Sequence, residues 1–166
     1  MTAPTLGQRY GSATVELPTP TTIVITRVFD ATAAEVFRAW TTPEIVRRWW
    51  SGPDRPTTVC EIDLRVGGSW RYVIDMGEGA EVGFHGTYRE IEPPELLVYT
   101  EVFEGFPDGE AVNRLTLEAD GDTTVMRVVV EHSCQEHRDM HVESGMEGGM
   151  QLCMDRIDQL IAEARP

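Results

Sequence analysis

Hydrophobic positions follow two different periods along the first part of the chain. Residues 23–29 are rich in β-branched and aromatic side chains, which predicts a strand. Asp30 or Thr32 then offers a cap for a helix over residues 33–41. Three bulky apolar residues at helical spacing give this helix one buried face: Val36, Phe37 and Trp40. Pro43 ends it and favours a second short helix, since proline suits a first helical turn. Four residues form the apolar side of that second helix: Ile45, Val46, Trp49 and Trp50.

From residue 57 onwards the pattern changes to the alternation of strands. Six segments have strand character and are separated by short turns: residues 57–64, 70–76, 81–91, 96–103, 110–118 and 123–131. Because consecutive strands with short connections pair antiparallel, they predict an antiparallel meander. Helix formers dominate after residue 135, and apolar residues at three- and four-residue steps predict a long amphipathic helix: Met150, Met154, Ile157, Leu160 and Ile161. We therefore predict an α+β fold in which this helix covers the sheet.

Length and charge narrow the classes of protein. The chain has 166 residues, of which 28 are acidic and 14 basic, with a formal net charge of −14. This length fits one domain, and we predict a flexible N-terminal arm over residues 1–20 and a single domain over residues 21–166. The negative charge disfavours nucleic acid and anionic membranes as partners. The absence of a spanning-length apolar run and of a secretory signal predicts a cytoplasmic protein, and three cysteines without framework spacing fit reduced thiols.

The order of these elements and a set of short motifs resemble a known family. The motifs are Arg27-x-Phe29-x-Ala31, Val36-Phe37-x-Ala39-Trp40-Thr41-x-Pro43, Trp49-Trp50-x-Gly52-Pro53, Asp63-x-Arg65-x-Gly67-Gly68, Gly86-x-Tyr88-x-Glu90-Ile91-x-Pro93 and Gly149. With them, residues 22–163 resemble the bacterial branch of the activator of Hsp90 ATPase homologue 1-like (AHSA1-like) family, within the START/Bet v 1-like or SRPBCC superfamily. The resemblance implies a helix-grip fold, in which a curved antiparallel sheet wraps the long C-terminal helix.

The resemblance also implies a cavity for a small hydrophobic molecule between the sheet and the terminal helix. Nine aromatic and methionine residues are the candidates to line it: Trp70, Tyr72, Phe84, Tyr88, Tyr99, Phe103, Met146, Met150 and Met154. The alternative is a filled core, because apolar residues at strand and helix spacing are core by default. Many members of the family have tryptophan where this chain has Met150. Since methionine adapts to irregular space, the ligand shape is expected to differ here.

Ionisable residues suggest further candidate sites, each with a plainer interpretation. His137, His141 and Cys134 lie in the one dense cluster of metal-capable groups, but their spacing matches no structural zinc motif, so neither a metal nor another cofactor is predicted. Four strand residues could serve acid–base chemistry if they entered a cavity, or be ordinary surface residues: Arg71, Asp75, His85 and Arg89. Two arginines of the family pattern are expected to pair with acidic neighbours such as Glu61 or Asp63: Arg27 and Arg65.

Three functions remain open from the sequence. The leading one is binding of a small hydrophobic or amphipathic molecule without assured catalysis. The second is a polyketide cyclase or hydratase, which loses its basis if Arg71, His85, Arg89 and His132 all face bulk water. The third is regulation of an Hsp90-type chaperone, implied by the family. A homodimer is also predicted, on the ground that Trp49 and Trp50 would not both be buried within one chain.

Overall fold

The computed structural model describes residues 12–51 and 54–166 and has eight strands and four helices in that part of the chain. The first half contains β1 (Thr14–Glu16), β2 (Thr22–Phe29), α1 (Ala33–Thr41), α2 (Pro43–Val46), β3 (Thr57–Ile62) and β4 (Ser69–Gly77). The second half contains β5 (Ala80–Glu92), β6 (Leu96–Phe103), β7 (Ala111–Asp120), β8 (Thr123–His132), α3 (Gln135–Glu143) and α4 (Met146–Glu163). The predicted strands, the two short helices and the long terminal helix are therefore confirmed.

All eight strands form one antiparallel sheet in the order β1-β2-β8-β7-β6-β5-β4-β3. Strands β3 to β8 follow one another as the predicted meander, while β2 pairs with β8 and so joins the start of the chain to its last strand. The helices α1 and α2 carry the chain from β2 to β3 at the opposite edge. The sheet is curved, and with α4 against it the architecture is the α+β helix-grip fold.

The start of α1 follows directly from its sequence. The Thr32 side chain accepts a hydrogen bond from the Glu35 backbone amide at 3.1 Å, and the Glu35 carboxylate accepts one from the Thr32 amide at 3.0 Å. This reciprocal pair satisfies two amides that the helix itself leaves unpaired. The helix α2 is shorter than predicted, because it ends at Val46 and the residues up to Ser51 form turns. The two tryptophans assigned to its apolar side therefore lie beyond its end.

Two features of the described chain were not predicted. The helix-forming part of the chain after residue 135 contains two helices, because residues 135–143 form a separate helix, α3, and Gly145, with a φ of 83°, separates it from α4. Only a residue without a side-chain penalty adopts that conformation readily, which makes Gly145 a suitable break between the two helices. Within the predicted flexible arm, β1 pairs with β2, so that part of the arm belongs to the sheet. The arm's residues 1–11 lie outside the described residues.

Arg27 fastens α4 to the sheet. It lies on β2 with 1% of its surface exposed, and its guanidinium donates hydrogen bonds to Asp155 at 3.2 Å and Asp158 at 3.4 Å, both on α4. The expectation that Arg27 pairs with Glu61 or Asp63 is wrong, because sequence neighbourhood does not reveal which carboxylates the fold brings to a buried side chain. Arg65 does pair with Asp63, at 2.8 Å on the surface.

Candidate functional site

A cavity of about 490 Å³ lies between the sheet and α4. The sheet contributes Ile25, Asn113, Val128 and Val130, and the first turns of α4 contribute methionines and a glycine: Met146, Gly149, Met150 and Met154. Trp49 and Trp50, which follow α2, close another side. The volume lies within the 300–1,000 Å³ common for sites that hold small molecules, and the wall is mostly apolar. The space between sheet and terminal helix is therefore not solidly filled.

A second cavity of about 450 Å³ adjoins the first beneath α3. Its wall includes Phe103, Phe106, His132, His137 and Met140. Five residues line both cavities: Val82, Phe84, Glu101, His141 and Ser144. The shared residues make these two spaces neighbouring parts of one hollow region, with the Glu101 carboxyl and the His141 imidazole at the junction.

A cluster of aromatic rings forms the floor beside the larger cavity. Trp50 lies edge-on to Trp70, Tyr72 and Phe84, with ring centroids 4.8–6.2 Å apart. The space that this cluster encloses is only about 10 Å³, which is roughly the room for one water molecule. The cluster is thus a packed support, and edge-to-face contacts of this kind add stability beyond the area they bury.

Gly86 allows this cluster to form. The Trp70 indole crosses the position where a side chain at Gly86 would begin, and its Nε1 donates a hydrogen bond to the Thr100 carbonyl at 3.1 Å. A Cβ atom at position 86 would lie 1.8 Å from that carbonyl oxygen. Such a contact is too short for any side chain, so glycine at this position follows from the close approach of the indole to β6.

Of the nine residues predicted to line the cavity, six border one of the two larger cavities and three do not. Phe84, Tyr99 and the three methionines of α4 lie on the wall of the larger cavity, and Phe103 lies on the wall of the second. Trp70, Tyr72 and Tyr88 belong to the packed aromatic cluster and line neither larger cavity. The period of two along β4 identifies which residues share a face of the sheet. It does not show where along that face the side chains pack against one another and where they leave a cavity.

Glu101 is the polar residue of the site that sequence reasoning missed. It lies on β6 between Thr100 and Val102, opposite Ala111 of β7. The residue is half-buried, because protein atoms surround the carboxyl while the cavity keeps part of it accessible. Burial raises the pKa of Glu101 to about 7 from its ordinary value of 4.5. An acidic residue within the otherwise apolar segment 96–103 was the signal that could have identified it.

Two histidines form a neutral pair at the edge of the second cavity. His132 Nε2 and His141 Nδ1 lie 3.1 Å apart, so one ring donates a hydrogen bond to the other. Burial lowers the pKa of both imidazoles, that of His132 to about 4 with His141 as a further cause. His132 Nδ1 is buried without a hydrogen-bond partner among the described residues. The tautomer in which Nδ1 carries no proton is favoured, since a buried N–H without an acceptor is more costly.

Three of the polar strand residues considered for acid–base chemistry are exposed and paired. Arg71 and His85 both contact the Glu104 carboxylate at 2.9 Å, and Arg89 lies 3.7 Å from Glu110. The Arg71 guanidinium, followed by His85, lowers the pKa of Glu104 well below its ordinary value. Asp75, which is half-buried, accepts a hydrogen bond from the Gly77 amide at 2.8 Å. His132 alone among the residues named for the enzyme hypothesis lines a cavity.

The group considered for metal binding does not come together. His141 pairs with His132, His137 hydrogen-bonds to Ser133 at 3.1 Å, and Cys134 lies at the N-cap of α3. In residues 12–51 and 54–166 no three histidine, cysteine or acidic side chains are arranged to hold a metal ion. None of the helices within the same ranges is both long and apolar enough to cross a membrane.

The tryptophan pair does not support the reasoning behind the predicted homodimer. Trp49 is 1% exposed, and its Nε1 donates a hydrogen bond to the Ala39 carbonyl at 2.9 Å. Trp50 is half-buried against the aromatic cluster and the larger cavity. Both indoles thus find their contacts within one chain, and the homodimer stays a prediction without this argument.

Comparisons with known proteins agree with this architecture. The structure is similar to that of a protein from Rhodobacter sphaeroides, with 26% sequence identity, a TM-score of 0.85, and 91% of this chain and 99% of that chain covered. A protein from Arthrobacter aurescens has 26% identity and a TM-score of 0.81, with 90% and 91% covered. A protein from Mycobacterium smegmatis shares the fold at 23% identity and a TM-score of 0.80, with 89% and 96% covered.

The sequence comparisons place the chain in a family. No curated protein matches it. The family model described as activator of Hsp90 ATPase homolog 1-like protein matches residues 30–162, which is most of the domain that contains the cavities. The resemblance found in the sequence motifs is thereby confirmed, and the chain belongs to the AHSA1-like family.

Proposed function

We propose that the protein binds a small hydrophobic or amphipathic molecule in the larger cavity between the sheet and α4. The observation that carries this proposal is the volume of about 490 Å³ lined by mostly apolar side chains. Apolar surface that a ligand removes from water contributes about 25 cal/mol per Å², so a ligand filling such a space gains binding energy chiefly from burial. Methionine side chains on one wall adapt to ligands of varied shape.

Binding without catalysis is the function that these contacts support best. The cyclase or hydratase alternative depended on four named residues, and three of them are exposed in ion pairs. The fourth, His132, lines the second cavity, where it pairs with His141. Regulation of an Hsp90-type chaperone, which the family description names, finds no supporting feature in the described residues. The protein's role is therefore proposed to be capture of a small molecule from solution.

Filling the cavity is expected to abolish binding. Met150 is 9% exposed and lies on the cavity wall, so a tryptophan at this position adds an indole to the space that a ligand would occupy. For the Met150→Trp variant we expect the affinity for the uncharged fluorescent probe N-phenylnaphthylamine to fall at least about tenfold. The measurement is a fluorescence titration at constant protein concentration, with circular dichroism to establish that the variant is folded.

A matched control adds the same side chain away from the cavity. Val66 is 64% exposed in the connection between β3 and β4, and it lines neither cavity. The Val66→Trp variant is expected to bind the probe as the unmodified protein does. Unchanged probe binding by a folded Met150→Trp variant would refute the larger cavity as the binding site.

A further inference from the structure

Glu101 lacks a counter-charge within the described protein. No side chain or backbone amide of residues 12–51 or 54–166 forms a hydrogen bond or ion pair with its carboxylate, and burial is the one cause of its altered proton affinity. Most buried acidic groups are neutralised by a partner, because an unpaired charge in an apolar environment is costly. Here the group borders both cavities, where a bound molecule could supply that partner.

The other titratable groups around the cavities do not fill this role. His132 and His141 pair with each other, and burial keeps both neutral near pH 7. His137 is hydrogen-bonded to Ser133. Burial likewise keeps the Cys153 thiol and the Tyr99 hydroxyl protonated, since it raises the pKa of both.

Arg55 is the one cation on the wall of either cavity in the described chain. It is exposed, and its guanidinium donates a hydrogen bond to the Met76 carbonyl at 3.4 Å. No hydrogen bond or ion pair joins Arg55 to Glu101. Among the described residues, the wall of the hollow therefore has one acidic side chain, no cation paired with it, and the aromatic rings of Trp50, Phe84 and Tyr99.

We propose that Glu101 makes the cavity selective for lipophilic amines, that is, apolar molecules with one protonated nitrogen. The ammonium group would donate hydrogen bonds to the Glu101 carboxylate, and the apolar body would lie among the methionines of α4. Aromatic faces attract cations, which adds to the preference. The net charge of −14 attracts cationic molecules toward the protein and disfavours fatty acids and other anions. This inference rests on the proposed binding function and adds the chemical class of ligand.

Three probes with the same tail and different polar ends test the selectivity: octylamine, octanol and octanoate. Their affinities are measured by isothermal titration calorimetry on the unmodified protein and on a Glu101→Gln variant. We expect octylamine to bind at least about tenfold more tightly than octanol, and octanoate to bind most weakly. Glu101→Gln is expected to remove the advantage of octylamine and to leave octanol binding within about twofold.

The dependence on pH gives an independent readout. Octylamine stays protonated below pH 9, as a lysine side chain does, whereas Glu101 titrates near pH 7. Octylamine binding is therefore expected to be about tenfold weaker at pH 6 than at pH 8 and to release close to one proton at pH 6. Octanol binding should not weaken on acidification. The Glu118→Gln variant removes an equivalent charge from the exposed side of β7 and should leave the preference for octylamine intact.

The outcomes separate the two proposals. If octanol or N-phenylnaphthylamine binds but octylamine binds no better than octanol, the selectivity is refuted and the cavity remains a binding site. The same conclusion follows if Glu101→Gln retains the preference for the amine. If none of the probes binds, the proposed function itself is refuted, and the selectivity with it.

Discussion

Replacing Arg27 with methionine is expected to destabilise the protein by about 3–5 kcal/mol, because the change removes a buried cation from its ion pair with a buried carboxylate. Arg27 is 1% exposed and Asp158 is 2% exposed, and their ion pair at 3.4 Å joins β2 to α4. Asp155 accepts a second hydrogen bond from the same guanidinium at 3.2 Å. The measurement is the free energy of unfolding from urea titrations at pH 7.

A partly exposed arginine of α4 provides the control for this prediction. Arg156 lies 3.3 Å from Glu163, a residue more than half exposed, and surface pairs of this kind contribute about 0–1 kcal/mol. Arg156→Met is therefore expected to change the free energy of unfolding by less than about 1 kcal/mol. If Arg27→Met costs no more than Arg156→Met, then Arg27 does not fasten α4 to the sheet.

The Glu101→Gln variant is expected to be more stable than the unmodified protein above pH 7 and equally stable near pH 4. In the folded state the pKa of Glu101 is about 7, above the ordinary value of 4.5 expected after unfolding. The stability that comes from this raised pKa is complete below pH 4.5 and is lost as the pH rises through 7. Each unit of difference between the folded and unfolded pKa corresponds to about 1.36 kcal/mol, so the loss of stability approaches about 3 kcal/mol. The loss is smaller if water in the cavity solvates the carboxylate.

The difference between the two proteins isolates this carboxyl. His132, whose pKa is lowered by burial, also makes stability depend on pH below about 6.5, but it does so equally in both proteins. Thermal unfolding followed by circular dichroism at pH 4, 6 and 8 measures the difference, and Glu118→Gln serves as the control for removal of an exposed charge. A Glu101→Gln protein no more stable than the unmodified protein at pH 8 would show that Glu101 is not a buried, unpaired acid.

Much of the fold could be predicted because local patterns and tertiary structure agree. The alternation along β4 to β8 and the capping residues before α1 depend on near neighbours in the chain, so they are visible in the sequence. That α3 is a helix separate from α4 was not predicted, because its residues are helix formers but largely polar and give no apolar periodicity of their own. Similarly, β1 is a three-residue strand whose pairing with β2 depends on an edge that only the folded sheet presents.

The candidate site was predictable only in part. The methionines at the start of α4 lie on the wall of the larger cavity, and their common face follows from helical spacing, which is visible in the sequence. Glu101 was missed. A single acid in a largely apolar strand stands out in the sequence, but the strand alone does not show whether that acid faces solvent or a cavity. Trp70 was expected on the cavity wall. Its indole instead packs over Gly86, at the position where a side chain would otherwise begin. Which spaces remain empty depends on packing between distant elements, and no local pattern encodes that.

The most direct test of the account locates a bound molecule among the methionine methyl groups. The chain has seven methionines, of which Met76 and the α4 residues Met146, Met150 and Met154 line the larger cavity while Met126 is fully buried outside it. With methyl-labelled methionine, nuclear Overhauser effects from bound N-phenylnaphthylamine are expected at the three α4 methyl groups and not at Met126. Saturating probe without any such effect at Met150 and Met154 would contradict the claim that the hollow between the sheet and α4 holds a ligand.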